Sequence, residues 1–107
     1  MIMGDKPKTV WEILAVQDPE LNDRMQAWRS YINEGPTLER KYRELVMVGM
    51  CCVLRFRDGI VSHARHALNH GATKEELFAA IEQSFFIGGV PGFREGVLAF
   101  NELFPAE

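Results

Sequence analysis

All three histidines of this chain fall within eight residues, at positions 63, 66 and 70, and Gly71 follows them directly. On a helix, at about 100° per residue, offsets of three and seven keep the three imidazoles within roughly one quadrant of the surface. Imidazole changes charge near neutral pH, so His63 is a candidate proton donor or acceptor. The candidate partner is Glu44, which ends a charged stretch one residue before an apolar run begins. Desolvation at that boundary disfavours a carboxylate unless something pairs with it. Arg55, Arg57, Arg65 and Arg94 could hold the carboxylate of a small ligand. Three imidazoles on one helix seldom converge on one ion without a ligand from elsewhere, so no metal is expected. No cofactor is expected either.

The elements that must position these groups are helical throughout. Thr9 to Val16 reads as a short helix with Trp11 and Leu14 or Ala15 inward. Asp18-Pro19-Glu20 restarts the chain with a capping side chain, a proline and an acid. Leu21, Met25, Trp28 and Ile32 then form one apolar face, and Gly35-Pro36 ends it, leaving Thr37 to cap the next helix. That third helix, Leu38 to about Leu54, is charged at first and apolar on all sides from Leu45 onward. Such a segment belongs in the centre of a bundle or between subunits. Gly49 within it predicts a close backbone approach.

The histidine helix runs from Asp58 or Gly59 to His70, with Gly71 as a left-handed cap. Thr73 and Glu76 form a capping box for a fifth helix, Lys74 to about Ile87, with Leu77, Ala80, Ile81, Ser84 and Phe85 buried. Gly88-Gly89-Val90-Pro91-Gly92 breaks the chain; a sixth helix covers Phe93 to Leu103. The expectation is an all-α, six-helix bundle in one domain over residues 1–107. Short joints make the third and fourth helices antiparallel neighbours, yet spacing alone does not bring Glu44 to His63.

Twelve basic against fifteen acidic residues give a net charge of −3, which excludes a nucleic-acid footprint. No apolar run is long enough to span a bilayer, and Met1 to Lys8 holds no apolar leader. A cytoplasmic protein is expected. Cys51 and Cys52 are neighbours that point about 100° apart on a helix, so they read as reduced core residues. The apolar third helix, Phe85-Phe86 and the last helix carry more apolar surface than one small bundle covers, which predicts self-association.

Glu44, His63 nineteen residues on, Ala67, Gly71-Ala72-Thr73, Glu75-Glu76 and Gly88-Gly89-Val90-Pro91 together resemble the carboxymuconolactone decarboxylase family, which includes alkylhydroperoxidase D-like proteins. Leu38-Glu39-Arg40-Lys41-Tyr42-Arg43-Glu44-Leu45 is similar to the family's Leu-x-x-Lys-x-x-Glu-Leu pattern. The likeness runs from about Leu38 to Phe100. It implies an all-α domain assembling as a homotrimer or homohexamer, with a site between helices and often near a subunit boundary. It also implies catalytic roles for Glu44 and His63.

One departure matters. Redox members carry Cys-x-x-Cys whose second cysteine lies four residues before the histidine; here the stretch is Phe56-Arg57-Asp58-Gly59. Peroxide reduction needs a low-pKa thiolate and a resolving partner, so dithiol peroxidase activity is not expected. What remains suits the branch typified by the decarboxylase: thiol-independent acid/base chemistry, decarboxylation or isomerisation, on a small organic acid or lactone. A catalytically silent ligand- or partner-binding protein is the alternative. A helical oligomer without a small-molecule site is a third reading.

Overall fold

The computed structural model describes residues 8–105, and six helices account for most of them, with no strand among the described residues. Met1 to Pro7, read above as lacking a leader, lie outside the described residues. The chain divides between Pro36 and Thr37 into two compact units.

The first unit is a helical pair, α1 (Val10–Gln17) against α2 (Pro19–Asn33). Thr9 opens α1 with a reciprocal capping box to Glu12, and the Asp18 side chain accepts from the Leu21 N–H with Pro19 at the first helical position. These arrangements satisfy amides that a helix start leaves unbonded. Trp11 and Leu14 are half-buried, Ala15 is exposed, and the Arg29 guanidinium lies 4.0 Å from the centre of the Trp11 ring.

The second unit holds α3 (Arg40–Val53), α4 (Arg57–Asn69), α5 (Lys74–Gln83) and α6 (Phe85–Leu103). Helix α3 packs against all three others. Each helix gives the core residues at helical spacing: Val48 and Cys52, Ile60 and Ala64, Leu77 and Ile81, and Ala99. Gly71 (φ 97°) closes α4 in the left-handed region, and the Thr73–Glu76 capping box starts α5. No helix among the described residues is long and apolar enough to cross a membrane.

Several expectations need correction. Thr37 does not cap α3, whose first helical residue follows Glu39 with no side-chain cap bond. The fifth helix stops at Gln83. Ser84 is buried as expected, its hydroxyl donating to the Ile81 carbonyl at 2.6 Å, but Phe85 is 47% exposed and already belongs to α6. The glycine-rich break is a single residue: Gly89 (φ 66°) interrupts α6, and Pro91 lies just inside the resumed helix, where its missing N–H is tolerated.

Gly49 has no tight neighbour; a Cβ there would lie 3.9 Å from the Ala80 carbonyl. The close approach is at Gly92, where a Cβ would meet the Cys52 carbonyl oxygen at 2.7 Å. Of the two places expected for the apolar half of α3, the centre of a bundle or a boundary between subunits, the first is not met, because the chain itself does not cover it on all sides. Leu38, just before the helix, is exposed, and so are Tyr42, Val46 and Met50 along it and Leu54 just after it.

Candidate functional site

Glu44, Val48 and Cys52 recur at intervals of four, so they form one row of α3, and all three are buried. The carboxylate therefore occupies a core position, with only 2% of the residue exposed. A buried ionised group must find partners. It finds His63, whose Nδ1 lies 3.1 Å from Oε1 and 3.4 Å from Oε2. An ionised carboxylate only accepts, so Nδ1–H donates and Nε2 is the nitrogen left for a ligand. The His63 side chain is 31% exposed. One partner is sealed while the other reaches solvent.

The contact answers the helix arithmetic. Glu44 lies ten residues before Leu54 and His63 six after Arg57, an axial mismatch of roughly 6 Å for parallel rods. The two long side chains span that. The corner itself is tight. Phe56 N–H bonds the Cys51 carbonyl, and Arg55 adopts φ 57°, so α4 starts at Arg57, earlier than the sequence suggested.

A third group completes the set. Arg40 Nε lies 3.8 Å from Glu44 Oε2, four residues back on the same helix, with a side chain 40% exposed. Sequence reading passed over Arg40, although its four-residue spacing to Glu44 was available as a signal.

The other candidate arginines lie elsewhere. Arg57 is bound to Glu95 (Nε to Oε2, 2.8 Å) and to Glu102 (3.1 Å), which hold its guanidinium charged even more firmly than usual. Arg94 is exposed and 3.4 Å from Glu95. Arg55 sits exposed in the corner. Arg65 lines a cavity of about 430 Å³ with Asp58, Val61, Ser62, His66, Asn69 and Glu102. The His66 ring centre is 6.3 Å from that of His63. His70 turns back on its own helix, Nδ1–H donating to the His66 carbonyl at 2.7 Å.

A larger apolar groove of about 710 Å³ runs along α3, lined by Tyr42, Val46, Met50, Ala80 and Ile87 among others. Neither cavity has Glu44 or His63 in its wall. Among the described residues, no three His, Cys, Asp or Glu side chains are grouped as metal ligands.

The thiols sit close to this region without being activated by it. A Cβ placed on Gly59 would meet the Phe56 ring at 2.5 Å and Cys51 Sγ at 2.9 Å. Burial, and then the charge of Glu44, push the Cys51 thiol up. Burial pushes Cys52 up to about 11, against a hydrogen bond with Ser84 that works the other way. Both are protonated thiols at neutral pH.

The structure is thus an all-α fold in which a buried carboxylate grips an imidazole across nineteen residues. The chain belongs to the carboxymuconolactone decarboxylase family, whose profile matches residues 19–102 and so runs across the division between the two units. A crystal structure from Burkholderia xenovorans LB400, of a protein provisionally named carboxymuconolactone decarboxylase, is similar at 28% identity and a TM-score of 0.75. The match covers 95% of this chain and 82% of that one. No curated protein matches the chain.

Proposed function

We propose that this protein carries out thiol-independent acid/base chemistry on a small organic acid or lactone, with His63 as the group that meets the substrate. The observation that carries this reading is the asymmetry of the pair: Glu44 at 2% exposure, His63 at 31%, 3.1 Å apart. Glu44 is too deeply buried to touch a substrate, so it acts through the imidazole. It fixes which nitrogen carries hydrogen and the direction in which Nε2 points, as carboxylates behind functional histidines do. With Nδ1–H held on Glu44, Nε2 is left to take up or give a proton. In decarboxylation, loss of carbon dioxide leaves an electron pair delocalised into the neighbouring carbonyl. Nε2 first takes a proton from solvent, giving an imidazolium paired with Glu44; transfer of that proton from Nε2 to the carbon completes the step and returns the neutral ring. In isomerisation the same nitrogen removes a proton from one carbon and returns it to another.

The family's name and that of the Burkholderia protein support carboxymuconolactone as the first substrate to try. The reading includes a single domain over residues 1–107, supported by a family match that crosses the division between units. It also includes a cytoplasmic setting, where free thiols such as Cys51 and Cys52 persist, and a homotrimeric or homohexameric assembly. The test is carbon dioxide release and loss of substrate signals by NMR with parent and His63→Gln proteins. Turnover by the parent and a fall of about a hundredfold or more in the variant is the expected result. Equal rates would remove His63 from the chemistry.

A second reading rests on a separate observation, that neither cavity is walled by the pair. On that reading the protein is a silent member of the family that binds a ligand without converting it. Saturable binding with no turnover of any lactone acid offered would favour it.

A further inference from the structure

We infer that Arg40 is the residue that holds the carboxylate of an anionic ligand beside His63, in place of the arginines of the α4 region and α6. The inference rests on the reading of Glu44 and His63 as a site. Arg40 and His63 both lie within 4 Å of one carboxylate, so a group bound to the guanidinium is within reach of the imidazole. The nearest approach of Arg40 to Glu44 is through Nε, at 3.8 Å; with the side chain 40% exposed, the terminal nitrogens are open to a planar two-point contact with a ligand carboxylate.

The alternatives fail on geometry. Two carboxylates already occupy Arg57. Arg65 is two residues from His63 on the same helix, and residues so spaced face different sides. Arg94 rests against Glu95 on α6, and Arg55 precedes α4 in the corner.

Helix stability does not explain Arg40. It is the first residue of α3, whose first turn carries no acid. A cation there opposes the helix dipole, and an arginine four residues before a glutamate is the less favourable order for such a pair. Lys41 beside it is offset by Glu76 at 3.3 Å. Arg40 instead supplies a positive charge at the exposed edge of a buried negative one. A monoanionic or dianionic carboxylate then meets a cation on one side and Nε2 of His63 on the other. A neutral ester of the same shape loses the first contact.

The experiment uses succinate as probe and dimethyl succinate as its uncharged counterpart, followed through the imidazole nitrogens of ¹⁵N-labelled protein. His63 is identified by the resonance that His63→Gln removes. In the parent, succinate shifts the His63 Nε2 signal saturably and the diester does not. Arg40→Gln weakens that response about tenfold or more, Arg40→Lys retains part of it, and Arg65→Gln leaves it unchanged. Unchanged His70 signals and melting temperature show that each variant is folded.

If Arg40→Gln alters the free His63 signal yet binds succinate as the parent does, Arg40 only positions Glu44 and the inference is overturned. If Arg65→Gln weakens binding instead, it is overturned in favour of that arginine. A His63 signal that no probe moves in the parent sinks both the anchor and the underlying site.

Discussion

The Glu44 carboxylate takes both of its oxygens to the same nitrogen of His63, at 3.1 and 3.4 Å, from a position that exposes almost nothing to solvent. Such a group is costly to bury and is tolerated because it is bonded. Its loss therefore has two separable effects. Glu44→Gln keeps the shape and can still accept from Nδ1–H, so the fold survives with a small loss of stability. The neutral amide no longer stabilises positive charge on the ring, so turnover of a lactone acid falls by roughly ten- to a hundredfold. Glu44→Leu removes the acceptor altogether, at about 1–3 kcal/mol if His63 cannot rotate to water. Denaturant midpoints and turnover rates, measured on both variants, separate the two effects. Full activity in Glu44→Gln would show that the charge is not used.

The thiols give a prediction of opposite sign. Cys52 is fully buried with its pKa pushed to about 11, and Cys51 is raised by burial and by Glu44. Alkylation by iodoacetamide at pH 7 is slow for both in the native state and becomes fast only on unfolding. Cys51→Ser keeps the parent's turnover, because no step passes through sulfur. A fast-reacting native thiol, or a peroxide-dependent activity lost in Cys51→Ser, would reverse that conclusion.

Much of the fold was open to sequence reading because its punctuation is chemical. Thr9, Asp18-Pro19, Gly71 and the Thr73–Glu76 box stand where the helices begin and end. What could not be read was tertiary. Gly88 to Pro91 resembles a loop in one dimension, yet packing lets helix resume after the single left-handed residue Gly89. The pair was half legible. Glu44 shares a four-residue row with Val48 and Cys52, and His63 shares one with buried Ala67, so both residues lie along buried rows. The meeting of those rows is a property of packed helices, as is the capture of Arg57 by Glu95 and Glu102 from distant sequence.

The link between Lys41 and Glu76 makes stability depend on pH in a defined direction. Glu76 is held below the usual carboxylate range, chiefly by the Thr73 amide and then by Lys41. Lys41 is raised, chiefly by its bond to Glu76. A depressed acid contributes stability above its unfolded pKa and loses it as pH falls through the folded value. A raised lysine contributes below its unfolded value and loses it as pH rises through the folded one. Glu76→Gln keeps the capping geometry and removes only the charge. Its melting temperature is thus below the parent's at pH 7, and the gap closes under acid titration. Because the pair is partly solvated, 1 M salt narrows the gap as well. A gap that persists at pH 2 would assign the effect to the cap alone.

The last prediction concerns what covers α3. Leu38, Tyr42, Val46, Met50 and Leu54 recur every four residues and are all exposed, and Ile87 and Val90 of α6 are exposed too. An apolar stripe of this length is unusual on a lone soluble chain and typical of surfaces that associate. The assembly proposed above buries it. Light scattering then gives the parent a mass of three or six chains. Val46→Glu lies mid-stripe at 51% exposure, so it costs the isolated chain little. A charge facing a copy of itself across an apolar contact is another matter, and the variant runs at the mass of one chain while its helical circular dichroism is kept. A parent that stays monomeric at micromolar concentration removes the assembly. An unchanged mass in Val46→Glu moves the contact to another face.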